Sequence, residues 1–131
     1  MAIDQRSPEY SPTVVDHFER PRNGGHFEAG EGVIRGTAGS VAQGTMFVLS
    51  ARIAEDRIEA VRFEAYGCPH CIAAGSWLSE RLVGLTREQL HTWRWRDADQ
   101  ALQFPLEKRG RLLILEDAVH ALSEAWARLI P

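Results

Sequence analysis

Val61-Arg62-Phe63-Glu64-Ala65-Tyr66-Gly67-Cys68-Pro69-His70-Cys71-Ile72-Ala73 contains a change of period on which the fold turns. Through Tyr66, the apolar residues Val61, Phe63 and Ala65 alternate with Arg62, Glu64 and Tyr66, the period of a strand with one buried face. Beyond Pro69 the period is helical. Ile72, Ala73, Trp77, Leu78 and Leu82 fall on one face, and Gly84 stands where a C-terminal cap is expected. The junction between strand and helix holds both cysteines of the chain, three positions apart. A loop feeding a helix N-terminus presents unpaired N–H groups and the positive end of the helix dipole, so a thiolate there is stabilised.

Upstream, Phe47, Leu49, Ala51 and Ile53 alternate with Val48, Ser50 and Arg52. This run and the one ending at Tyr66, joined around Glu55-Asp56-Arg57, predict an antiparallel hairpin with one apolar and one wet face. Ile34 to Ser40 is expected as a third strand. Nearer the N-terminus, Ser11 can cap and Pro12 can start a short helix that carries Val14, Val15 and Phe18 and stops at Pro21. Downstream, Thr86-Arg87-Glu88-Gln89 is a capping-box pattern opening a short helix through about Arg94. Leu112, Leu115, Val119, Leu122, Trp126 and Leu129 then lay one stripe along a long terminal helix. The fold class is therefore α+β, with a three-stranded antiparallel sheet packed with helices and a long C-terminal helix.

The 131 residues suit one domain, 1–131, with about the first nine residues a flexible lead-in. A net charge of -3 and a pI near 5.9 argue against a phosphate-backbone binder, so no nucleic acid partner is expected. Met1 to Pro12 is polar and carries no apolar run, and no stretch approaches a membrane span; the expected location is the cytoplasm. In that reducing compartment a Cys-x-x-Cys pair is a metal or redox motif rather than a structural disulfide.

Two further stretches stand out. Tyr10-Ser11-Pro12-Thr13-Val14-Val15-Asp16-His17-Phe18-Glu19-Arg20-Pro21-Arg22-Asn23-Gly24 precedes the strands, and Leu115-Glu116-Asp117-Ala118-Val119 opens the last helical stripe. With Arg62 to Cys68 they resemble, in order and spacing, the iron-sulfur cluster assembly scaffold family, of the IscU type and the N-terminal domain of NifU. The resemblance runs from Tyr10 to about Ala125. It implies an α+β fold and a scaffold or carrier rather than a turnover enzyme. The implied job is to accept sulfur from a cysteine desulfurase, combine it with iron as a [2Fe-2S] cluster, and pass the cluster to recipient proteins.

By that resemblance the family's first cysteine falls on Gln43, its aspartate on Thr45, and its third cysteine and preceding histidine on Arg111 and Gly110. Only Cys68 is kept. The chaperone-binding segment corresponds to Phe104-Pro105-Leu106-Glu107-Lys108, where one proline and the lysine remain. A [2Fe-2S] cluster takes four protein ligands, usually thiolates, which this set does not supply. Cys71 is an addition at a position where the family carries a small residue.

Cys68 and Cys71 can form a two-thiolate knuckle for iron, a cluster or, alternatively, zinc. The candidate metal ligands are Cys68, Cys71 and His70, with His17 and His26 in the segment that the family fold places around the site entrance. A homodimer in which each subunit gives one knuckle is another way to four thiolates. Cys68-Pro69-His70-Cys71 also matches the active-site letters of strongly oxidising thiol oxidases. A thiol-disulfide or persulfide exchange protein is therefore a second reading. A third is a non-catalytic adaptor of the iron-sulfur assembly machinery.

Overall fold

A computed structural model describes residues 10–130; the expected flexible lead-in over 1–9 lies outside them. Strands β1 (Val33–Ser40), β2 (Thr45–Ala54) and β3 (Arg57–Tyr66) form one antiparallel sheet in that order. Ile34 pairs with Ala51 and Ser40 with Thr45 across β1 and β2, while Leu49 pairs with Phe63 across β2 and β3. Glu55 and Asp56 close the hairpin with φ of 53° and 62°, the left-handed pair that matches the twist of adjoining strands.

Helix α1 (Pro12–Glu19) starts as its sequence dictates. The Ser11 hydroxyl accepts the Val14 N–H at 3.2 Å and donates to the Leu102 carbonyl at 2.6 Å. Helix α2 (Pro69–Arg81) leaves the cysteine junction, and α3 (Arg87–His91) opens with the Thr86–Gln89 capping box. After α4 (Arg96–Leu102) and a short 3-10 turn (Leu106–Lys108) comes α5 (Gly110–Ala127). Helix α5 packs on β1 and β2, α2 packs on β3, and α1 packs on α2. Gly36 is what lets α5 lie so close to β1. A Cβ there would meet the Ala118 carbonyl oxygen and the Leu122 nitrogen, each at 2.6 Å.

Phe47, Leu49, Val61 and Phe63 fill the interface between sheet and helices with Leu78, Leu115 and Leu122. The expected wet face is not wet at its centre, since Val48 and Ser50 are buried. The chain following α1 crosses it. Gly24 bridges to Phe63, the Phe27 N–H donates to the Ser50 hydroxyl at 3.0 Å, and the Arg52 and Arg62 guanidiniums flank the Phe27 ring at 4.9 Å. Three boundaries also differ from expectation. α3 ends at His91 rather than near Arg94, and α5 ends at Ala127, leaving Leu129 exposed beyond it. Gly84 is not the cap itself, because Leu82 is; Gly84 turns the chain at φ 88° and donates its N–H to Ile58.

Candidate functional site

Gly67 sets the path into the site. Its φ of 147° suits glycine, and a Cβ on it would lie 2.6 Å from the Cys71 sulfur and 3.1 Å from the Gly44 carbonyl oxygen. The missing side chain thus lets the Cys71 thiol tuck beneath the junction and the β1–β2 turn close over it. Cys68 is the N-cap of α2, with extended backbone and no capping bond from its side chain. Its sulfur therefore sits at the start of the helix, 3.7 Å from the His70 Nδ1. The Cys71 N–H donates to the Cys68 carbonyl at 2.9 Å, closing a turn that keeps the two residues together. Cys68 is half-buried, Cys71 is wholly buried, and neither is in a disulfide.

The two thiols titrate in opposite directions. The Cys71 thiol donates a hydrogen bond to Cys68 and holds it well below the usual cysteine range, with further help from the His70 side chain and the N–H groups of Cys71 and His70. Burial opposes this but is outweighed. Cys71 is pushed up because it is that donor, because it is buried, and because the Cys68 thiolate repels a second negative charge. The Cys71 sulfur also lies 3.9 Å from the Thr45 hydroxyl. Arg111 adds a positive charge that favours the anionic form of Cys71, and its Nε is buried with no hydrogen-bond partner among the described residues.

Cys68, Cys71 and His70, the three candidate ligands, are brought together. The His70 Nδ1 lies 3.7 Å from the Cys68 sulfur. Its ring, however, is 1% exposed, stacked on Tyr10 at 4.9 Å and met edge-on by Phe104 at 4.7 Å. Among the described residues, no three Cys, His, Asp or Glu side chains form a group that could hold a metal ion. The histidines suggested by the N-terminal segment serve elsewhere. His17 is buried between α1 and α2 with Nδ1 2.8 Å from the Ser76 hydroxyl, and His26 lies between Glu28 and Glu64.

Thr45 and Arg111 stand at the site as neighbours of Cys71, whereas Gln43 is exposed in the β1–β2 turn. Spacing alone does not reveal these neighbours; only the family resemblance singled out their positions. Tyr10 and Phe104 lie in stretches that the family resemblance singled out, but nothing in the sequence showed that they enclose His70. An open groove of about 750 Å³ lies between α2, α3 and α4, lined by residues such as Trp77, Trp93 and Asp97, and it contains no thiol.

Residues 9–127 match the NifU-like N terminal domain model. The chain is 33% identical over 114 residues to the iron-sulfur cluster assembly scaffold protein IscU of Escherichia coli K12, covering 86% of this chain and 89% of that protein. It is 36% identical over 123 residues to the bifunctional protein NifU/MnmA of Rubrobacter xylanophilus, covering 91% of this chain but only 25% of that longer protein. The crystal structure of the N-terminal part of a NifU-like protein from Brucella abortus superposes with a TM-score of 0.54 at 15% identity, covering 92% of this chain and 81% of that one. That likeness is one of fold. By the span and continuity of these matches, the chain belongs to the NifU-like N-terminal domain family.

Proposed function

We propose that this protein works in iron-sulfur cluster assembly as a scaffold-type carrier, with the Cys68 thiolate as the group that accepts sulfur or metal. The observation that carries this reading is the partly buried Cys68 at the start of α2, kept anionic by the buried Cys71 thiol and two backbone N–H groups. The scaffold names of its relatives support the same role. Its partners in this reading are a cysteine desulfurase, which supplies sulfur, and the proteins that receive the cluster. A reducing compartment such as the cytoplasm keeps both thiols available. Chaperone recognition is not part of the proposal, since the segment after Phe104 keeps little of the family pattern.

The cluster here is cargo, and the donor set of one chain does not fit it. A [2Fe-2S] unit takes four ligands, and one chain offers Cys68 and Cys71 beside Thr45 and Arg111. Neither a neutral hydroxyl nor a guanidinium substitutes for a thiolate. Two chains supply four thiolates, which also matches the tetrahedral count of a zinc site. Anaerobic incubation with ferrous iron, a desulfurase and cysteine should give sulfur-to-iron absorption in the wild type that Cys68→Ser and Cys71→Ser both lack. Absorption unchanged by either substitution rejects the cysteines as the site. Desulfurase binding that persists in the double variant, with no uptake of sulfur or iron by the wild type, identifies an adaptor instead.

A further inference from the structure

We propose that Cys71 is a resolving thiol, which reduces a persulfide carried on Cys68, releases its outer sulfur as sulfide, and leaves a Cys68–Cys71 disulfide. The proposal rests on the reading that Cys68 accepts sulfur, and it gives Cys71 a role that ligation does not. Three features of the junction support it.

The first is access. Cys71 is fully buried, whereas Cys68 is only partly buried, so an external sulfur donor reaches Cys68 alone. The second is reach. The 2.9 Å bond from the Cys71 N–H to the Cys68 carbonyl closes a turn of the kind whose first and last Cα atoms lie within about 7 Å, and a disulfide spans up to about 6.8 Å. The third is surroundings. Gly67 leaves open the space into which the Cys71 sulfur projects, while Thr45 and the positive charge of Arg111 sit beside that sulfur and favour negative charge on it as it attacks. The pair thus presents one accessible sulfur with a second, buried sulfur behind it.

The step balances. Cys68 first takes a sulfane sulfur from a protein persulfide donor, becoming Cys68–S–S⁻. The Cys71 sulfur then attacks the inner sulfur of that persulfide. The bond between Cys71 and Cys68 forms as the bond to the outer sulfur breaks, and the outer sulfur leaves with the electron pair. It takes the Cys71 proton and departs as HS⁻. Two cysteine sulfurs are oxidised to a disulfide, and one sulfane sulfur is reduced to sulfide. A dithiol reductant of the cell restores the pair by exchange. The protein would thus deliver sulfur at the sulfide level, drawing its electrons from its own second cysteine.

The test uses the full chain, a cysteine desulfurase and cysteine labelled in its sulfur, without air and without iron, read by intact mass after a single turnover. The wild type should lose the mass of two hydrogens, retain no added sulfur and yield labelled sulfide. Cys71→Ser and Cys71→Ala should each retain one added sulfur on Cys68 and release no sulfide above the desulfurase control. Two variants are used because the residue is in the core; circular dichroism identifies those that fold. A wild type that retains the added sulfur with Cys71 still reduced overturns the proposal and leaves sulfur uptake standing. Folded Cys71 variants that take no sulfur at all overturn the acceptor reading itself.

Discussion

Gly67 and the cysteine that follows it show how much chemistry one backbone position can set. Because φ is 147° and a Cβ would press on the Cys71 sulfur, Gly67→Ala should destabilise the protein by about 1–3 kcal/mol. It should also expose Cys71, which thiol counting with an alkylating reagent in the native state will show as a second reactive group. At Cys68 the lowered pKa means that alkylation by iodoacetamide should change little in rate from about pH 6 to 8, where an ordinary thiol near 8.5 speeds up steeply. A steep rise across that range would disprove the thiolate. The shift also bears on stability. A depressed folded pKa gives stabilisation that is complete above the unfolded value near 8.5 and is lost as pH falls towards the folded one. Cys71 acts in the opposite sense, and its contribution is lost above about 8.5. The stability difference between wild type and Cys68→Ser should therefore grow from about pH 5 to 8. The cysteine pair was legible in the chain because three-residue spacing at a strand-to-helix junction is a local signal. The approach of Thr45 and Arg111 was not, since it depends on the β1–β2 turn and α5 closing on the junction from far along the sequence.

Helix α2, which carries the pair, is fixed by its contact with α1. The Ser76 hydroxyl lies 2.8 Å from the His17 Nδ1 and accepts the Arg22 N–H at 2.8 Å. Burial pushes the His17 pKa down, with the positive charge of Arg22 adding to it. The stabilisation from His17 is thus present above its unfolded value near 6.5 and is lost as pH falls through the lower folded value. Urea unfolding at about pH 7.5 and 5 should show a loss of stability on acidification that is smaller in His17→Gln, which keeps a polar side chain without the titration. Equal losses in the two proteins would place the acid sensitivity elsewhere. Ser76→Ala should cost about 1–3 kcal/mol at neutral pH, because it removes the acceptor of the partly buried Arg22 N–H. Elements with explicit caps were readable from sequence, as at Ser11-Pro12 and Thr86–Gln89. Helix α4 was not: it starts at Trp95 without a side-chain cap, and only Ala98 and Leu102 of its seven residues are buried. Its opening Arg96-Asp97 reads as solvated surface. The cover on the outer sheet face escaped for a related reason. Phe27 is held by two arginines and a serine from other strands, which no local period records.

At the scale of the whole molecule, the cysteine junction, the β1–β2 turn and the start of α5 gather at one end. The Gly44 carbonyl approaches Gly67, and Ile114 approaches Gly39. The same end exposes Val41, Tyr66, Leu113 and above all Leu106, which is 75% accessible. Apolar side chains around a reactive thiol suit contact with another protein surface, whether a sulfur donor or a second copy. The ligand count makes the second copy testable. One chain gives two thiolates to a cluster that takes four, and its Arg111 brings a positive charge in place of a ligand. The absorbing species formed on anaerobic reconstitution should therefore contain two chains per [2Fe-2S] unit by native mass spectrometry, with no absorbing species at the mass of one chain. Leu106→Asp should reduce the yield of that species several-fold by placing a charge on the shared surface, while the melting temperature of the free chain stays close to that of the wild type because Leu106 packs little in it. Full yield from Leu106→Asp would remove that surface from the pairing. A cluster held by a single chain would require two ligands that the described residues do not bring together.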